Sequence, residues 1–119
     1  MLLTLMIDHM TAPLILRFGD LAIDLERYRV RIGDDPLILT YREYALLVYV
    51  ASRAGQVVSK RRLLEEGLGR HDHGGLRLVE EYIRHLNHLL QRTRYAKIET
   101  VGEEGYRFIS DTSPDTRHM

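Results

Sequence analysis

Leu76, Val79, Ile83, Leu86 and Leu90 recur at intervals of three and four along LRLVEEYIRHLNHLLQ. That spacing gathers them into one stripe of an α-helix, buried against a core. The same segment carries Arg77, Glu81, Arg84, His85 and His88, with Arg92 just beyond it, a charged face that a helix can present to nucleic acid or to another protein. A second series, Leu78, Tyr82, His85 and Leu89, lies about a third of a turn from the first. Its ordinary reading is cover from the early strands or the N-terminal tail; the sharper one is a contact surface for a protein, through Leu78, Tyr82 and Leu89.

Upstream, the pattern is extended. Residues 15–18, 21–25 and 28–32 are short β-prone runs separated by Gly-Asp, Glu-Arg and Gly-Asp-Asp, and 36–39 supplies a last edge strand. Alternation in Leu21, Ile23, Leu25 and in Tyr28, Val30, Ile32 predicts an antiparallel sheet with one buried face. Thr40-Tyr41-Arg42-Glu43 is a capping box, with Leu39 and Tyr44 as its hydrophobic staple, so a helix starts there and runs towards Gly55 as its C′ residue. Ser59, flanked by Val58 and Leu63, opens a second helix over 59–66. The glycine-rich stretch 67–75 reads as a loop and the long helix spans 76–92. Residues 97–101 and 106–109 then form a β-hairpin around Gly102-Glu103-Glu104-Gly105.

With 119 residues, 45% of them hydrophobic, the chain supports one domain and one modest core. The boundaries expected are a tail at 1–13, a domain at 14–110 and a tail at 111–119, the first tail being apolar through Leu2, Leu3, Leu5, Met6 and Ile7 and fit to add a strand or cover a partner. Lys plus Arg and Asp plus Glu are both 17. This balance excludes a broad non-specific nucleic-acid coat and leaves binding through one local patch. There is no cysteine, hence no disulfide framework and no thiolate metal site. Residues 1–7 lack a basic n-region and no segment reaches membrane length, so a cytoplasmic protein is expected.

The order of elements and the residues filling them resemble the winged-helix DNA-binding domain of the OmpR/PhoB-type response regulators. The matching stretches are 16–21, 39–47, 55–60, Arg77 with Val79 and Ile83-Arg84, and Thr100-Val101 with Gly105-Tyr106-Arg107-Phe108. The resemblance implies an α+β winged helix-turn-helix: an N-terminal four-stranded antiparallel sheet, three helices and a C-terminal β-hairpin wing. It implies a transcription regulator of two-component type binding double-stranded DNA, with helix 76–92 in the major groove and wing 97–109 near the backbone. Contact with RNA polymerase through the 67–75 loop is implied as well. There is no room before Leu14 for the family's receiver domain, so phosphorylation control is expected to act through a separate regulatory protein, with a homodimer as a further assembly. No membrane span follows the wing.

Two features depart from the family pattern. His85 and Asn87 stand where arginines are expected in the recognition helix, and the wing tip carries Glu103 and Glu104, which phosphates repel. The expected DNA-binding residues are Arg77, Glu81, Arg84, His85 and His88 in the major groove, where Glu80 and Glu81 can also accept from cytosine amino groups. Lys60 and Arg61 (with Arg62 beside them) and Arg92, Arg94 and Lys97 are expected on the backbone. The alternative is a protein–protein interaction module with weakened DNA binding. His71-Asp72-His73 and the pair His85, His88 offer too few ligands to define a metal site. Arg107 is expected to form a surface ion pair. The glutamates at 80, 81, 103 and 104 lie on a helix surface and a turn tip, so neither catalysis nor a cofactor is expected.

Overall fold

In the computed structural model, which describes residues 14–71 and 74–111, the β-prone runs pair as expected into a four-stranded antiparallel sheet. Its strands are β1 (Ile15–Phe18), β2 (Leu21–Asp24), β3 (Arg29–Ile32) and β4 (Asp35–Leu37), in the order β1-β2-β3-β4. Leu21, Ile23, Val30 and Ile32 are buried on one face. Tyr28 departs from the alternation. It adopts a φ of 58° that closes the β2–β3 turn, which ends β2 at Asp24, starts β3 at Arg29 and leaves the ring 63% exposed. Asp24 Oδ1 accepts from the Glu26 and Arg27 amides, each at 2.9 Å. The Arg27 amide is the larger cause holding this carboxyl below its usual range. β4 stops two residues short of Leu39, and Ile38 projects into solvent.

Helix α1 (Tyr41–Ala51) begins at the capping box: Thr40 Oγ1 accepts from the Glu43 amide at 3.2 Å, and Glu43 Oε1 accepts from the Thr40 amide at 3.0 Å. It ends at Ala51, earlier than the Gly55 signal. Gly55 instead takes a positive φ beyond a run of turns, where its N–H donates to Phe108 O at 2.9 Å. The next two residues form a strand absent from the sequence reading. β5 (Val57–Val58) pairs with β7 (Gly105–Ser110), which pairs with β6 (Ala96–Val101), so the hairpin belongs to a three-stranded sheet in the order β5-β7-β6. Gly105 lies where the chains cross: a Cβ there would lie 2.1 Å from Val58 O, and its φ is 153°.

Helix α2 starts on its Ser59 cap, with the Arg62 amide donating to Ser59 Oγ at 3.0 Å. It runs as α-helix over Lys60–Arg62 and widens to π geometry over Leu63–Gly67, closed by Leu68 N–H to Leu63 O at 3.1 Å. Both Leu63 and Leu64 are fully buried by this widened turn. Helix α3 (Gly75–Leu90) starts one residue earlier and ends two earlier than the periodicity predicts. Gly75 lets it begin hard against α2, since a Cβ there would lie 2.4 Å from Leu64 Cδ1. The predicted stripe docks it: Val79, Ile83, Leu86 and Leu90 are buried with Leu46, Leu47, Val50, Ile98 and Phe108, and Leu76 packs half-buried beside them. The expected tails, with Leu2, Leu3, Leu5, Met6 and Ile7, lie outside the described residues except for Asp111. No helix among the described residues is long and apolar enough to cross a membrane.

Candidate nucleic-acid interface

The face of α3 opposite its buried stripe carries Arg77, Glu81, Arg84 and His88, all exposed. At 1.5 Å per residue they form a row roughly 16 Å long. Among the described residues none of these four holds an ion pair. Beside Arg84 and His88 runs a shallow groove walled on its other side by Thr100 of β6 and Tyr106 of β7. The structure therefore gathers four of the five expected groove-reading residues into one open stripe next to the wing.

Three side chains of α3 tie this helix to its neighbours. Lys60 Nζ lies 2.7 Å from Glu80 Oε2, joining α2 to α3. The shared hydrogen bond is the first cause in both directions, raising the Lys60 ammonium above the usual lysine range and lowering the Glu80 carboxyl below the usual glutamate range. Asn87 binds β6 twice, its Nδ2 donating to Ile98 O at 2.7 Å and its Oδ1 accepting from Ile98 N–H at 2.9 Å. His85 Nδ1 bonds Glu43 Oε2, joining α3 to the N-terminus of α1. Both residues that replace expected arginines thus make bonds within the domain, and Glu80 is engaged too.

The basic turn of α2 is compensated residue by residue. Besides Lys60, Arg61 lies 3.8 Å from Glu65, and Arg62 donates to Tyr49 Oη at 3.0 Å and lies 3.4 Å from Glu66. Tyr49 is also bonded to Glu66, the chief cause of that carboxyl's lowered pKa, and Arg53 stacks 3.6 Å above the Tyr49 ring. The second basic cluster is more open. Arg92 and Lys97 are exposed without an ion pair among the described residues, while Arg94 caps the Tyr95 ring at 5.2 Å. Arg107 pairs across the hairpin with Glu99 at 2.8 Å, as expected. Glu103 and Glu104 are exposed at the wing tip.

The second apolar series is not an open patch. Tyr82 and Leu89 pack against the core and Leu78 is half-buried. Among the described residues the exposed large apolar side chains lie elsewhere: Tyr28, Ile38 and Tyr41 by the sheet and α1, and Ile15 on β1. The Tyr28 and Tyr41 rings meet edge-on, 6.1 Å apart. Alternation alone had placed Tyr28 inside; the polar turn Glu26-Arg27 before it was the available signal for its outward position. His71 lies 4.0 Å from Glu65, and Asp72 and His73 lie outside the described residues.

The family model described as "Transcriptional regulatory protein, C terminal" matches residues 34–108. The chain belongs to this family. Over 97 residues it is 32% identical to the transcriptional regulatory protein SrrA of Staphylococcus aureus, a match covering 79% of this chain and 40% of SrrA. The chain thus spans well under half the length of that relative. It is similar to the RstA DNA-binding domain of Klebsiella pneumoniae, solved in complex with the RstA box, with a TM-score of 0.70 and 30% identity over 80% of this chain and 96% of that one. It is also similar to DrrB, an OmpR/PhoB homologue from Thermotoga maritima (TM-score 0.65, 28% identity, 82% of this chain and 45% of DrrB). The DNA-binding domain of E. coli CadC shares the fold at 23% identity (TM-score 0.70, 82% of this chain and 92% of that one). Sheet, three helices and wing make this an OmpR/PhoB-type winged helix. In the terms of that family, α3 is the recognition helix.

Proposed function

We propose that this domain binds duplex DNA sequence-specifically as part of a transcription regulator. The observation that carries this reading is the exposed row Arg77, Glu81, Arg84 and His88 on the outer face of α3, none of which holds an ion pair among the described residues. A helix of this diameter fits the major groove, where arginine pairs bidentately with guanine and a carboxylate accepts from cytosine. Arg92, Arg94 and Lys97 then lie on phosphates at the base of the wing. Lys60 and Arg61 reach the backbone from α2, each sharing its charge with a glutamate. The similar RstA DNA-binding domain, solved in complex with the RstA box, supports DNA binding by this chain. In this reading the domain acts in the cytoplasm, as a dimer or with a separate regulatory protein, and the loop of residues 67–75 meets RNA polymerase.

The test is fluorescence anisotropy on random and genome-selected duplexes across a salt series. Arg84→Ala is expected to cost about 1–3 kcal/mol on the selected site and to relax selectivity at one base position. No binding to any duplex at low salt would overturn the proposal.

A second reading, a protein-interaction module with weakened DNA binding, draws on the acidic wing tip and on the pairing of Lys60, Arg61 and Arg62 with glutamates. It predicts a stable complex or dimer that survives high salt. Substitution at the exposed Glu103 or Glu104 then disrupts that complex, and Arg84→Ala leaves it intact.

A further inference from the structure

Tyr28, Ile38 and Tyr41 are 63%, 83% and 69% exposed, and they lie together where the β2–β3 turn meets the start of α1. The Tyr28 ring meets Tyr41 edge-on at 6.1 Å and Tyr44 edge-on at 5.6 Å, while the Tyr44 hydroxyl donates to Asp24 O at 2.9 Å. The three rings thus brace one another. Tyr28 lines two grooves at once, one of about 310 Å³ along α1 with Ala45 and Val48, the other of about 230 Å³ with Leu37 and Ile38. Each has room for an aliphatic side chain.

Folding alone does not account for the Tyr28 ring. Its backbone φ of 58° lies in the left-handed region, which asparagine and glycine enter more readily than tyrosine, and the conformation leaves most of the side chain in solvent. Strain kept at an exposed aromatic residue points to a contact outside the chain. Charge says of what kind. Arg29 and Arg42, next in sequence to Tyr28 and Tyr41, are exposed and hold no ion pair among the described residues. Asp24 and Glu26, the carboxylates at this edge, already share Arg27. An apolar centre flanked by unpaired guanidinium groups is complementary to a segment whose apolar side chains enter the grooves while its carboxylates meet the arginines.

We propose that this patch docks an acidic amphipathic helix of a partner protein. Two apolar anchors one helical turn apart, about 5–6 Å, straddle the Tyr28 ring and reach both grooves. The patch is turned away from the recognition helix. Glu43, which bonds His85 of α3, lies two positions along α1 from Tyr41, and two positions of an α-helix are about 200° of rotation. Partner and duplex can therefore occupy the domain together. The proposal goes beyond the DNA-binding reading and stands without it.

The full chain is titrated against synthetic helix-forming peptides. The probe has leucines on one face and glutamates on the other; one control replaces every glutamate with lysine, and a second replaces every leucine with alanine. Anisotropy of the labelled peptide gives affinity, and NMR of tyrosine rings and backbone amides gives the place of binding. The probe is expected to move the ring signals of Tyr28 and Tyr41 and to bind about tenfold or more tightly than either control. Tyr28→Asn, which suits the left-handed turn, keeps the Tm of the wild type and loses about tenfold in affinity for the probe. Arg29→Glu with Arg42→Glu reverses the preference, so that the lysine peptide binds in place of the glutamate one.

Binding that is absent, that moves signals on α3 in place of the tyrosines, or that survives these variants overturns the proposal. A wild-type dimer that Tyr28→Asn makes monomeric gives the patch to a second copy and overturns it too. Peptide binding seen only with Leu3→Ser, Leu5→Ser and Ile7→Ser gives the patch to the chain's own apolar N-terminal residues, with the same consequence. Loss of duplex affinity in Tyr28→Asn would place the patch on DNA and likewise sink the proposal. The peptide titrations need no duplex, so a failure of the DNA-binding reading leaves their outcome intact.

Discussion

Lys60 and Glu80 are joined at 2.7 Å between the cap turn of α2 and the second turn of α3, so one bond ties the two helices together and pairs two charges on the proposed DNA face. The wing's Glu103 adds its field to the same lysine. A basic residue that appears free in the sequence is thus shared with carboxylates in the fold.

Replacing Glu80 with Gln releases that lysine. The expected result is tighter duplex binding and a salt slope steeper by about one, read from anisotropy titrations between low and moderate salt. Stability moves the other way. Glu80's carboxyl is held low, so its contribution is present above the usual glutamate range and lost as pH falls through the depressed value. Lys60's is held high, so its contribution is present below the usual lysine range and lost as pH rises through the raised value. Between those limits the pair is intact. The fall in Tm from neutral to acidic pH is therefore smaller in Glu80→Gln than in the wild type.

Asn87 is expected to matter for stability and not for base selection. Asn87→Ala strands the N–H and C=O of Ile98 at the half-buried junction of α3 and β6. A cost of about 2 kcal/mol follows from two lost hydrogen bonds, read by urea denaturation. The ranking of duplex sequences in a selection experiment stays unchanged. A reordered ranking would instead assign Asn87 to the bases.

These ties also mark how far the sequence could be read. The capping box at Thr40 and Glu43, the stripe from Val79 to Leu90 and the hairpin around Gly102 are local patterns, and each formed where the spacing put it. β5 has only two residues and exists because β7 offers it a partner, a pairing that no local propensity announces. The widened turn of α2 likewise answers to the burial of Leu63 and Leu64 together. At the proposed site, exposure of the charged row followed from helical periodicity. The internal use of His85 and Asn87 did not, because their partners are 42 and 11 positions away. Residue type alone showed them only as replacements for expected arginines.

Gly105 sets the crossing of β5 and β7. In Gly105→Ala the new Cβ meets backbone, Val58 O at 2.1 Å, in a conformation that side chains rarely adopt. Backbone cannot swing aside as a side-chain end does, so a loss of roughly 2–3 kcal/mol or more is expected. Thermal melting measures it, and the same loss should loosen the wing. Hydrogen exchange would then report faster opening at the Val57 and Val58 amides than along α3.

The wing tip gives the sharpest test of how the domain meets DNA. Glu103 and Glu104 are exposed on a tight turn closed by Glu104 N–H to Val101 O at 2.9 Å, so their side chains can be changed without disturbing the hairpin. If the wing approaches the duplex backbone, two carboxylates there oppose binding, and Glu103→Lys with Glu104→Lys converts two repulsions into two attractions. Each new phosphate contact releases about one counterion, so the salt slope should steepen by about two and affinity at low salt should rise by more than tenfold. Lys60 sharpens the comparison, because losing the field of Glu103 leaves it to Glu80 and Tyr106. An unchanged slope would place the tip away from the phosphates and leave its acidic charge to a protein partner.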